Sequence, residues 1–221
     1  MTFVAAAGDH GAAVPECPPG EGFLPNPGVF VPASDPNVTG VGGTSLQANL
    51  SSGEYESESV WNGEGRAGGG GFSVLYATPR FQKGVPSIGT KRGVPDVAYD
   101  AGVSGGVIVA WGSSGEPNEF WTFGGTSIGA PQWAGLTAIA DQAAGQRLGN
   151  INPALYSIAM GSHYSRAFHD ITEGNNSFAG VTGYSAAPGW DAASGWGSPI
   201  ASFLVPKLAE NAGAHSENAE P

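Results

Sequence analysis

Short apolar runs, none longer than five residues, most limit what this chain can fold into. They lie at residues 3–7, 28–32, 38–41 and 107–111, each closed off by Gly, Pro, Asp or Ser. That pattern predicts buried parallel strands separated by tight turns. Residues 127–144 break it. Pro131 in the first turn is followed by Trp133, Leu136, Ile139, Ala140 and Ala143 at helical spacing, which predicts a helix whose small residues allow close packing. Residues 151–160 predict a second, shorter helix. Strands alternating with helices give an α/β domain with a central, mainly parallel sheet flanked by helices. One domain is expected over residues 1–208. Residues 161–199 read as a long irregular loop rich in Gly, Asn and Asp, of the kind that carries function or is held by something. Residues 209–221 read as a frayed polar tail.

Composition narrows the function classes. Gly accounts for 37 of the 221 residues and Pro for 17, yet 40% of the chain is apolar, so it is a loop-rich globular domain and not a disordered one. Acids outnumber bases 19 to 8 and the formal net charge is -11, which argues against a nucleic-acid partner. The few Lys and Arg residues also suit an acidic medium, where little positive charge would accumulate. Cys17 is the only cysteine, so no intrachain disulfide can form, and its Pro-rich setting gives it no catalytic company. No run is long enough to span a membrane, and no signal peptide opens the chain. Instead the sequence starts almost at once on a core strand, as expected if the N-terminal part of the domain is missing.

The tetrapeptide Gly-Gly-Thr-Ser occurs twice, ending at Ser45 and at Ser127. Ser45 is followed by a strand end or turn and reads as structural. Ser127 opens the predicted helix. There, free backbone N–H groups and the helix dipole favour negative charge, and Gly124 and Gly125 let a substrate backbone approach. A plain N-cap is the other reading of Ser127. A Ser nucleophile needs a base. Of His10, His163, His169 and His215, only His10 precedes Ser127, and it lies in a Gly turn, which argues against a Ser-His-Asp triad.

Gly-Thr-Ser-x-x-x-Pro resembles the nucleophile motif of subtilisin-like folds. Ala6-Ala7-Gly8-Asp9 is similar to the subtilisin string in which an Asn donates to the oxyanion. An ionised Asp9 cannot donate a hydrogen bond, and a protonated one can, so the substitution points to acid conditions. Taken alone, Asp9 also fits an ordinary Gly turn. Together, residues 5–11, 31–45, 60–62, 69–73, 92–98, 124–131 and 168–199 resemble, in order, the sedolisin family of serine-carboxyl peptidases. The resemblance implies a subtilisin-like fold, Ser127 as nucleophile, Asp9 as the oxyanion-hole acid and an acidic pH optimum. It also implies a Glu base supported by an Asp, both N-terminal to residues 6–9. Only eight residues precede Asp9 and none is acidic, so the isolated chain is expected to have little or no activity. A pseudo-peptidase that binds peptides without cleaving them is the alternative.

The same resemblance implies one structural Ca²⁺ in the long C-terminal loop. Asp170 and Asp191 would give carboxylates, and Ile171, Ala187 and Gly189 backbone carbonyls, where Ala187 replaces the family's usual Gly. Capped turns are the other reading of Asp170 and Asp191. The remaining expectations are protein or peptide substrates, no membrane, a monomer and, by resemblance, an extracellular location. Phe72, Trp111 and Trp121 are candidates for substrate subsites or for core packing. The Gly run at residues 68–71 is a candidate edge for pairing with substrate backbone.

Overall fold

The computed structural model describes residues 1–16, 24–112 and 117–216; Cys17 lies outside them. At its centre is a sheet of three parallel strands, β1 (Phe3–Ala6), β2 (Val38–Ala48) and a third at Val97–Asp100. β2 lies in the middle. Val4 pairs with Thr39, and Val97 with Val41. β2 is long because it serves two ladders: beyond Thr44 it continues antiparallel to β3 (Tyr55–Val60). The parallel strand at Val97–Asp100 is β4.

Two expected strands behave differently. Residues 28–32 form no strand; the nearby strand is Leu24–Pro27, and Pro32 begins a turn. Val107–Trp111 (β5) is a strand, but it pairs antiparallel with Glu119–Phe123 (β6) in a two-stranded hairpin. Ile108, Trp111, Phe120 and Trp121 are all exposed there. An apolar run reads as burial, but the hairpin carries apolar side chains on both faces without covering them.

The long helix α1 (Thr126–Ala144) lies against the sheet. Trp133 is wholly buried, and its indole N–H donates to the Ala98 carbonyl at 3.0 Å. Gly129 passes so close to β2 and β4 that a Cβ there would stand 2.9 Å from Tyr99 Cβ and 3.0 Å from Val41 Cγ1. Small residues on α1 thus set the helix–sheet distance. Pro131 falls in the second turn, not the first, and withholds the N–H that would have served the Ser127 carbonyl. α2 (Asn152–Ala159) adds Leu155 and Tyr156 to the core.

Residues 161–199 are mostly irregular, with a four-residue helix at Tyr164–Ala167 and the short pair Phe168–His169 with Ser198–Pro199. α3 (Ala201–Ser216) packs on α1 and carries the chain past residue 209 as helix, where a frayed tail was expected.

Candidate active site

Ser127 is the second residue of α1 and is exposed. The turn before it is fixed by short-range geometry. Gly125 has φ of 87°, and its N–H donates to the Ala101 carbonyl at 2.6 Å, which ties the start of α1 to the end of β4. A Cβ on Gly125 would stand 2.7 Å from Asp9 Oδ2, so the position needs glycine for both backbone angle and space.

Asp9 follows β1 through Gly8, whose φ is 107°. Its Oδ1 accepts two hydrogen bonds from one residue, Thr126 N–H at 2.9 Å and Thr126 Oγ1–H at 2.8 Å. The Thr126 hydroxyl in turn accepts from the Gly8 N–H at 3.1 Å. The carboxyl group of Asp9 therefore meets the start of α1 one residue before Ser127. Asp9, at the C-terminal end of β1, and Ser127, beyond the C-terminal end of β4, share the end of the sheet where α/β folds place ligands. At the helix start, the Ser127 N–H is among the groups that helix geometry leaves without an intrahelical acceptor. A carbonyl held over Ser127 would have that N–H and the Asp9 carboxyl within reach of the same end of the helix.

No protein-family profile matches the chain. It is 39% identical over 222 residues to Kumamolisin from Bacillus sp. (strain MN-32), covering 96% of this chain and 37% of that protein. It is 36% identical to Sedolisin from Pseudomonas sp. (strain 101), covering 97% of this chain and 36% of that protein. A solved structure of Pseudomonas sedolisin, a serine-carboxyl proteinase complexed with two molecules of pseudo-iodotyrostatin, superposes with a TM-score of 0.76 at 31% identity, over 100% of this chain and 57% of that one. The chain belongs to the sedolisin family. It spans little more than a third of the length of these curated relatives.

The other residues expected from the sedolisin resemblance fall as follows. Asp170 and Asp191 both come close to Tyr164. Asp170 Oδ1 accepts the Tyr164 hydroxyl at 2.7 Å, and both its oxygens face the Gly189 N–H at 3.1 Å. Asp191 is buried and accepts from Ala187, Ala193 and Ser194 N–H groups at 3.0, 2.8 and 2.8 Å. Burial pushes the Asp191 carboxyl up, against these hydrogen bonds. Burial and the two carboxylates push the Tyr164 hydroxyl up strongly. No group of three or more His, Cys, Asp or Glu side chains suited to a metal occurs among the described residues. The expected set has only two side chains, so a cation here would depend on carbonyls from Ile171, Ala187 and Gly189. The donor chemistry, all oxygen, fits a hard cation. Ala187 is not among the positive-φ residues, so its replacement of Gly carries no backbone strain.

The Gly run at residues 68–71 is not a substrate edge. It is buried, and its first two N–H groups are taken: Gly68 donates to Trp61 O at 2.8 Å and Gly69 to Gly8 O at 2.7 Å. A Cβ on Gly69 would lie 2.0 Å from Ala7 O. The run lets a loop cross directly over the end of β1, behind Asp9. Phe72 packs edge-on against Tyr184, 5.5 Å between ring centroids. Trp111 and Trp121 are exposed on the hairpin that leads into Gly124.

Sequence reasoning missed Glu58. Alternation of Glu54, Glu56 and Glu58 with Tyr55, Ser57 and Ser59 reads as a solvated strand, and Glu54 and Glu56 are indeed exposed. Glu58 turns inward, accepting hydrogen bonds from the Thr44 and Ser198 hydroxyls. With Asp100, Tyr55, Tyr99 and His169 it lines a cavity of about 350 Å³. The signal available was position: Glu58 lies two residues before buried Val60, on the same face of the strand.

Proposed function

We propose that this chain carries the nucleophile and oxyanion-binding part of an acid-acting serine-carboxyl endopeptidase. Ser127 gives its proton to the base and attacks the scissile carbonyl; the C–N bond then breaks, the amine leaves with that proton, and water hydrolyses the resulting acyl-enzyme. The charge that develops on the carbonyl oxygen is met by the protonated carboxyl of Asp9 and the backbone N–H of Ser127. Preorganised donors of this kind are each worth about 10²–10³ in rate. The observation that carries the reading is the hydrogen-bonded junction between Asp9 and Thr126, beside an exposed Ser127. The proton acceptor for Ser127 is a Glu supported by an Asp, supplied from outside these 221 residues, since no Glu of this chain matches that position. The substrates are proteins or peptides, and the setting is extracellular. No helix among the described residues is long and apolar enough to cross a membrane.

One Ca²⁺, held by the Asp170 and Asp191 carboxylates and the carbonyls of Ile171, Ala187 and Gly189, would pin the polar C-terminal loop. Its role is to stabilise the fold, with no part in bond cleavage.

The test is peptide cleavage by the chain alone and by the chain fused behind the part of Kumamolisin that precedes the matched region. Cleavage is expected only in the fusion, only in acid, and not in Ser127→Ala. Cleavage by the lone chain, or activity that survives Ser127→Ala, would overturn the reading. A folded fusion that binds peptides without cleaving them would favour a pseudo-peptidase.

A further inference from the structure

We propose that Thr126 is a positioning residue that decides which oxygen of Asp9 carries the proton. The inference rests on the peptidase reading above, in which Asp9 acts as a hydrogen-bond donor. A protonated carboxyl has one O–H, and an oxyanion can use it only if it sits on the oxygen facing the oxyanion.

Thr126 makes the two oxygens of Asp9 unequal. Oδ1 accepts from Thr126 N–H at 2.9 Å and from Thr126 Oγ1 at 2.8 Å. Thr126 Oγ1 also accepts the Gly8 N–H at 3.1 Å, which holds the hydroxyl beside Asp9, while the backbone N–H of Thr126, a donor only, fixes Oδ1 as an acceptor. Thr126 is wholly buried, so water does not compete for the hydroxyl. A proton on Oδ1 would set a second hydrogen against the fixed Thr126 N–H and turn the Thr126 hydroxyl from donor to acceptor. Oδ2 therefore takes the proton. This oxygen is the one turned towards Gly125, 2.7 Å from where a Cβ would stand. Gly125 has no side chain to block it, and Ser127 lies two residues further along. Gly8, Asp9, Gly125 and Thr126 together hold the acid in one protonation isomer, its O–H on the oxygen that Thr126 does not bind.

The claim is tested in the chain itself by NMR, without reference to peptidase activity. A scalar coupling across the hydrogen bond, from Thr126 ¹⁵N to Asp9 ¹³Cγ, is followed while pH is lowered through the protonation of Asp9. The coupling should persist after the carboxyl carbon has completed its protonation shift. Loss of the coupling in step with that shift would place the proton on Oδ1 and overturn the proposal. Thr126→Val keeps the side-chain shape and removes one donor to the carboxylate. In it the coupling from the residue-126 ¹⁵N should weaken as the carboxyl takes up its proton, and Thr126→Ser should restore the coupling. A coupling that persists in a folded Thr126→Val chain as it does in the unaltered chain would also overturn the proposal. If that variant fails to fold, the coupling in the unaltered chain decides. Failure of the peptidase reading would show in the cleavage assay of the fusion and leave these spectra unaffected.

Discussion

Arg92 and Asp96 meet at 2.5 Å with neither side chain exposed to solvent. Asp96 also accepts from the Gly40 N–H at 2.8 Å and the Tyr156 hydroxyl at 3.0 Å. One carboxylate thus joins β2, α2 and the segment leading into β4. Removing it leaves a buried guanidinium uncompensated, at a cost of about 3–5 kcal/mol. Asp96→Ala should show that loss in urea unfolding. Lys207→Ala, which breaks the exposed pair with Glu210, should cost less than about 1 kcal/mol. Equal losses would contradict the assignment of Asp96 as the joint of the fold.

Glu58 and Asp100 make stability depend on pH in a definite direction. Burial pushes Glu58 up from its ordinary 4.5; its hydroxyl partners oppose the shift and Asp100 adds to it. Burial likewise pushes Asp100 up from 3.8, against backbone N–H groups of Leu46, Gly102 and Ala101. Groups with raised values bind more protons in the folded state. Their contribution is complete below the ordinary carboxylate values and is lost as pH rises through the raised ones. His169, which burial lowers from 6.5, works the other way below that value. The urea midpoint should fall between pH 4 and pH 7, and Glu58→Gln should flatten that fall. The same slope in both proteins would exclude Glu58 as its source.

If the C-terminal loop binds Ca²⁺ as proposed, the ion stabilises the folded state by mass action. At calcium a hundredfold above its dissociation constant, chelation should lower Tm by about 5–10 °C. Asp191→Ala should melt at one temperature with and without chelator. A chelator effect that persists in Asp191→Ala would place the ion elsewhere.

Gly69 and Gly65 separate packing from substrate pairing. A Cβ on Gly69 would lie 2.0 Å from Ala7 O, whereas one on Gly65 meets nothing within 4 Å. Gly69→Ala should cost about 3 kcal/mol or more in urea unfolding. Gly65, at φ of 73°, should show only backbone strain, about 1 kcal/mol. A Gly69→Ala chain of unchanged stability would contradict this packing role.

The parts of the fold that read clearly in the sequence are those where one local rule suffices. β1 and the start of β2 follow from apolar runs closed by turn residues, and α1 from helical spacing after Ser127. The run at Val107–Trp111 failed because an apolar run states hydrophobicity and not which surface covers it. Glu58 and the Gly run at residues 68–71 depend on contacts between segments far apart in the chain: Glu58 with Ser198, Gly69 with Gly8. No local pattern reports those. Asp9 and Ser127 were legible as candidates from motif resemblance, but the connection through Thr126 needed coordinates, because Asp9 and Thr126 lie 117 positions apart in the chain.

The most direct measurement is the pH–rate profile of Asp9→Asn in the fusion with the Kumamolisin segment. An Asn amide donates a hydrogen bond at every pH, whereas a carboxyl group donates only when protonated. The unaltered fusion should lose kcat as pH rises towards neutral, and the Asn variant should keep a larger fraction of its acid-side rate there. Parallel decline of both proteins over the same pH range would contradict an uncharged Asp9 as the partner of the oxyanion.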